Sequence, residues 1–256
     1  LVDKIKCGNS LIDDKSVVPN AFVWEEEFKE VFDNGGFDIV IGNPPYVSTK
    51  QINKLYRDYF WDKYSELLIA EMDLYEIFLY DNVKYKLNDG GILSFITPNS
   101  YYTSKSFENL RKYLIDNTHI IEIIDFPYRF FPFEDVNTET SISILKKIEL
   151  TANFNTKVSI ASKENINKNL LIDNNVKINE KEFSQSNLKS FFDNKIIINQ
   201  TDVLIKLLKN EKLFGDYLEL HKGWMSIPTK TNINGQVIDK GIFLKEELNT
   251  YQIQDL

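Results

Sequence analysis

Cysteine, histidine and methionine are almost missing from this 256-residue chain, which has one Cys and two each of His and Met. A single thiol, Cys7, excludes an internal disulfide and fits a reducing compartment. No metal-ligand partners are spaced around it. His119 and His221 stand alone and read as surface or packed histidines, so neither a zinc site nor a Ser–His triad is indicated. No apolar run is long enough to cross a bilayer. The ten glycines include no G-x-G, so no turn here reads as the glycine cradle of a nucleotide-like cofactor. Positive charge is also short: 30 Lys and Arg face 38 Asp and Glu, a net charge of −8. Such a surface does not bind phosphates along its whole extent, so any basic face must be local. What remains, 43% apolar and 27% charged residues, belongs to a globular protein. The length admits one large domain plus part of another.

The most informative segment is Asn43-Pro44-Pro45-Tyr46. It follows Phe37-Asp38-Ile39-Val40-Ile41-Gly42, whose β-branched apolar residues read as a buried parallel strand. Ligands of open α/β sheets bind at the carboxyl ends of such strands. The two prolines fix φ, donate no N–H and hold their predecessors extended. The loop is therefore stiff. It presents the Asn43 side-chain oxygen and the Pro44 carbonyl as adjacent acceptors beside the Tyr46 ring. Two acceptors and an aromatic face suit an exocyclic amine conjugated to a ring or a carbonyl. The lone pair of such an amine is delocalised. Acceptors on its two N–H bonds localise that pair and stabilise the cationic transition state, while the ring stacks on the planar group bearing the amine.

This context resembles the N6-adenine DNA methyltransferases that use S-adenosylmethionine, in the gamma arrangement of type I and type IIG restriction-modification enzymes. Cys7-Gly8-Asn9-Ser10-Leu11-Ile12 is similar to the family segment that contacts the cofactor adenine. The family commonly has an acid where this chain has Asn9, whose amide oxygen also accepts from an amine. Asp73-Leu74-Tyr75-Glu76-Ile77-Phe78 opens a helix expected to end at Asn88-Asp89-Gly90-Gly91, ahead of the buried strand at 92–98. Residues 120–126 read as another strand. Phe130-Phe131-Pro132-Phe133 then precedes Val136 and the alternating strand at 140–145.

The resemblance implies an α/β fold. Residues 1–150 would be part of a Rossmann-like S-adenosylmethionine-dependent methyltransferase sheet, from the cofactor-adenine motif onward. Residues 151–256 would form an edge and linker region and the beginning of a C-terminal target-recognition domain. The implied catalytic residues are Asn43, Pro44, Pro45 and Tyr46, with Phe131 as a second aromatic on the opposite face of a flipped adenine and Phe130 and Phe133 as alternates. The implied contacts to the cofactor, S-adenosyl-L-methionine, are Asn9, Ser10, Leu11 and Phe78, and no metal is involved. The implied partner is double-stranded DNA in a prokaryotic cytoplasm, with a nuclease or specificity region on further protein. The family's glycine-rich turn belongs ahead of Asn9 and is not found here, so the expectation is a fragment whose sheet lacks its central strands.

Basic candidates for DNA are Lys50, Lys54 and Arg57, then Lys105, Arg111 and Lys112, then Lys222 and Lys230. Two other readings stand beside this one. The tetrapeptide is shared with glutamine-N5 methyltransferases of translation release factors, which lack a long extension after the last strand. An inactive remnant or DNA-recognition piece of a restriction system is the other.

Overall fold

The computed structural model describes residues 5–69, 73–126, 139–149, 153–161, 178–189, 191–198, 229–231 and 237–240. The chain divides into two compact units, Leu1–Gln200 and Thr201–Leu256. In the first, short helices α1 (Trp24–Glu27) and α2 (Lys29–Asp33) lead into strand β1 (Phe37–Gly42). Then follow α3 (Lys54–Lys63), α4 (Leu74–Asp81), β2 (Leu87–Pro98), α5 (Glu108–Asn117), β3 (Thr118–Phe126), β4 (Thr140–Lys147), β5 (Asn155–Ala161), β6 (Ile178–Ser184) and α6 (Ser186–Lys189). The strands form one mixed sheet in the order β1-β2-β4-β3-β5-β6. β1 is parallel to β2 and β3 to β5, whereas β4 runs antiparallel to both of its neighbours. The carboxyl ends of β1, β2 and β3 therefore share one edge of the sheet, where β4 begins.

One face of the sheet carries the core. Leu93 and Phe95 of β2, Leu145 of β4, Ile120 and Ile123 of β3 and Val158 of β5 are buried on it. Ile77 and Leu79 of α4 and Leu110, Leu114 and Ile115 of α5 complete the apolar interior. Each such side chain contributes about 1.5–3 kcal/mol by leaving water. Ser141 and Ser143 of β4 face inward too, and they bond the buried Tyr102 and Tyr101 hydroxyls across 2.5 and 2.6 Å. A buried hydroxyl left without a partner costs about 1–3 kcal/mol.

Three expectations change in detail. β1 is parallel, as its composition predicts, but it is not buried. Among the described residues only β2 pairs with it, and Ile39 and Ile41 are 60% and 77% exposed. The helix opening at Asp73 is shorter than expected: α4 passes into a π-type turn over Asn82–Lys86, and β2 already starts at Leu87. Glycine permits this early start. Gly36 has φ +121°, and a Cβ there would lie 2.6 Å from the Lys86 carbonyl oxygen. Gly90, at φ +86°, lies where the β1–β2 register jumps from Phe37–Leu87 to Ile39–Ile92. The third change is Arg111, expected in a DNA-facing cluster. It is fully buried, and its guanidinium donates to the carbonyl oxygens of Tyr101, Ser104 and Asp193 at 2.6–3.1 Å.

The expected edge region after residue 150 supplies β5 and β6 at the far end of the sheet. The segment around His221 and Lys222 lies outside the described residues. In the second unit β7 (Thr229–Thr231) and β8 (Val237–Lys240) pair antiparallel. Among the described residues no helix is long and apolar enough to cross a membrane.

Candidate active site

β1 delivers the 43–46 loop to the carboxyl edge of the sheet. Pro44 is buried, whereas Asn43, Pro45 and Tyr46 are exposed. Among the described residues no hydrogen bond engages the Asn43 side chain or the Pro44 carbonyl. Two acceptors are thus left open on a backbone that the prolines stiffen. The Tyr46 hydroxyl donates to the Ile96 carbonyl oxygen on β2 across 3.2 Å. Its ring meets Tyr75 of α4 edge to face, with centroids 6.3 Å apart and planes at 79°. Partial burial raises the Tyr46 phenol above its ordinary pKa, which keeps it neutral.

The loop is tied to α4 by its backbone. Leu74 N–H donates to the Val47 carbonyl across 2.9 Å, and Ser48 and Asp73 form an isolated antiparallel bridge. Ser48 and Asn53 then cap the next two helical turns, each accepting from the backbone N–H two residues on. Lys54 is exposed and Arg57 half-buried on α3, just past the loop. Phe78, three residues after Tyr75 on the same helix, is half-buried.

The other expected cofactor contacts sit in a tight turn. Ile12 N–H donates to the Asn9 carbonyl across 3.1 Å, and the Asn9 side-chain oxygen accepts from Leu11 N–H at 3.3 Å. The oxygen expected to face a ligand is therefore turned to its own backbone. The Asn9 Nδ2 group and the Ser10 hydroxyl have no bond among the described residues. Leu11 is buried and packs in the interior, and the Ser10 carbonyl accepts from Trp24 Nε1 across 2.9 Å.

Phe131, with Phe130 and Phe133, lies outside the described residues, but the strand ends that flank it do not. Phe126 pairs with Thr140. Asn99 Nδ2 donates to Asp125 Oδ1 at 3.1 Å and to Glu139 Oε2 at 3.3 Å, and Asn99 N–H donates to the Glu139 carbonyl at 3.1 Å. Both ends of the segment holding Phe131 are thus fixed at the sheet edge that carries Asn43. Burial holds the Asp125 carboxyl above its usual pKa, against the Asn99 hydrogen bond.

Sequence reasoning missed two residues here. Asn99 carries no motif of its own. Glu76, three residues past Asp73, has the spacing of a capping box, yet α4 has no side-chain cap. Instead the Glu76 carboxyl is 1% exposed, and its Oε1 has no partner among the described residues. Burial, reinforced by the Asp73 charge and opposed by Arg111, pushes its pKa up to about 9.

The type II methyltransferase M.HincII of Haemophilus influenzae is 33% identical over 118 residues, 44% of this chain and 23% of that protein. The type II restriction enzyme and methyltransferase RM.Eco57I of Escherichia coli is 30% identical over 143 residues, 55% of this chain and 14% of that protein. This chain thus spans about a quarter or less of these curated relatives. The crystal structure of the type IIG restriction endonuclease BpuSI superposes with a TM-score of 0.43 at 19% identity, over 59% of this chain and 20% of that one. The family model described as Eco57I restriction-modification methylase matches residues 2–131, just over half of the sequence, and the chain belongs to that family.

Proposed function

We propose that the 43–46 loop methylates N6 of an adenine rotated out of double-stranded DNA, within a restriction-modification system. One observation carries this reading. The Asn43 side-chain oxygen and the Pro44 carbonyl have no partner among the described residues, and they stand at a strand's carboxyl end beside a ring whose hydroxyl is tied to Ile96. In the proposed reaction they accept the two N6 hydrogens, which draws the nitrogen lone pair out of conjugation and stabilises positive charge as the new N–C bond forms. The Tyr46 ring stacks on one face of the base and Phe131 on the other, offsetting the cost of unstacking. Pro45 keeps Pro44 extended. After transfer the proton passes from N6 to water.

S-adenosylmethionine, when bound, supplies the electrophilic methyl group. The residues present fit its adenine end: Asn9 Nδ2 and the Ser10 hydroxyl have no partner among the described residues, and Phe78 is only half-buried. The Asn9 oxygen is engaged with Leu11, so Asn9 meets a ring nitrogen as a donor more readily than an amine as an acceptor. No G-x-G turn for the methionine end is found in the sequence. The test is expression of the intact enzyme in a host lacking adenine methylation, followed by base-resolved detection of N6-methyladenine. The modification should appear in one sequence context. Modified glutamine in release factors with unmodified DNA would replace this reading.

A further inference from the structure

Tyr46 is exposed and sits on a loop, yet its ring plane does not depend on the loop alone. Its edge-to-face neighbour, Tyr75, is 1% exposed. Tyr75 is itself held from two further sides. Its ring stacks on Phe107, with centroids 5.6 Å apart and planes at 24°. Its hydroxyl shares a 3.0 Å hydrogen bond with Ser100 Oγ, just past the end of β2. The Tyr46 ring is therefore fixed at one end by the Ile96 carbonyl and along its side by a buried aromatic wedge. Aromatic pairs in this geometry hold each other's orientation, because the positive edge of one ring meets the negative face of the other.

We infer that Tyr75 is a positioning residue: it sets the plane in which Tyr46 meets the base and links that platform to α4, the helix that also carries Phe78. The backbone ties of Leu74 to Val47 and of Asp73 to Ser48 place this wedge one residue from the loop's own anchor. The inference rests on the proposed role of Tyr46 as a base-stacking platform. A small tilt of that platform weakens the stack that holds the flipped base, and one base–aromatic stack is worth roughly a five- to hundredfold change in affinity.

The experiment compares Tyr75→Met, which removes the ring at similar apolar bulk, with Tyr75→Phe, which keeps it. The first readout is 19F NMR of the full chain labelled with 3-fluorotyrosine, with the Tyr46 resonance assigned through Tyr46→Phe. It requires no activity. The second is the split of KM for unmethylated DNA from KM for S-adenosylmethionine in the intact enzyme. In Tyr75→Met the Tyr46 resonance should move and KM for DNA should rise about tenfold, with the cofactor KM unchanged. Tyr75→Phe should restore both. An unmoved Tyr46 resonance in Tyr75→Met overturns the proposal, and so does an equal rise in both KM values. If Tyr75→Met does not fold, Tyr46→Leu at its exposed position must move the Tyr75 resonance, and a Tyr75 resonance that stays in place overturns the proposal as well. A Tyr46 resonance that follows Tyr75 in a wild type that methylates no DNA supports the positioning contact and counts against the proposed reaction alone.

Discussion

The Tyr46 hydroxyl donates to the Ile96 carbonyl across 3.2 Å, which commits its polar end to the sheet and leaves its ring for stacking. Tyr46→Phe should therefore be nearly harmless, losing at most about 1 kcal/mol. Tyr46→Ala should weaken capture of the flipped base by roughly 1–3 kcal/mol. Fluorescence of DNA carrying 2-aminopurine at the target position measures both. A Tyr46→Phe variant as weak as Tyr46→Ala assigns the role to the oxygen instead.

Phe131→Ala should produce a loss of similar size, roughly 1–3 kcal/mol, whereas Phe130→Ala and Phe133→Ala should leave base capture unchanged. The same fluorescence assay separates the three phenylalanines. A larger loss at Phe130 or Phe133 moves the second platform to that residue.

Glu76 gives a stability signature. Its folded-state pKa, about 9, lies above the ordinary carboxylate value. The folded state therefore holds a proton that the unfolded state releases. Stability from this group is fully present below the unfolded pKa and is lost as pH rises towards 9. Glu76→Gln removes that loss. Urea melts should show the variant gaining on wild type between pH 5.5 and 8.5, at up to about 1.4 kcal/mol per pH unit. Parallel stability curves would show that Glu76 is ionised in the fold.

The two classes of basic residue should behave oppositely. Arg111→Met leaves buried carbonyl oxygens without donors and should cost about 3 kcal/mol or more of stability. Lys54→Ala and Arg57→Ala should leave stability nearly unchanged. Each should lower DNA affinity and reduce the salt slope by about one if it meets a phosphate. Thermal melts and binding isotherms at two salt concentrations distinguish them.

The strand–Asn–Pro–Pro–Tyr passage was legible because prolines and a β-branched run constrain the backbone locally. The parallel direction of β1 followed from it, but its exposure did not, since strand composition says nothing about which neighbours are paired. β4 shows the limit more sharply. Its alternation invites Ile142 and Ile144 inward, yet Ser141 and Ser143 are buried there, because the Tyr101 and Tyr102 hydroxyls brought in from another segment need partners. Arg111 and Glu76 were misread or missed for the same reason. A charged residue on a helix looks solvent-facing until tertiary packing closes over it, and that packing involves residues up to 82 positions away, as between Arg111 and Asp193. The turn of the Asn9 oxygen onto Leu11 is likewise a local geometry that residue type alone does not reveal.

The central claim is that Asn43 accepts from the reacting amine. Its most direct test is tritium transfer from methyl-labelled S-adenosylmethionine to unmethylated DNA by the intact enzyme and its Asn43→Ala variant, with the product nucleoside separated by chromatography. The account predicts N6-methyldeoxyadenosine from wild type. It predicts a loss of about 3 kcal/mol or more of transition-state stabilisation in the variant, with cofactor binding nearly unchanged. An Asn43→Ala enzyme that methylates adenine at close to the wild-type rate would contradict it.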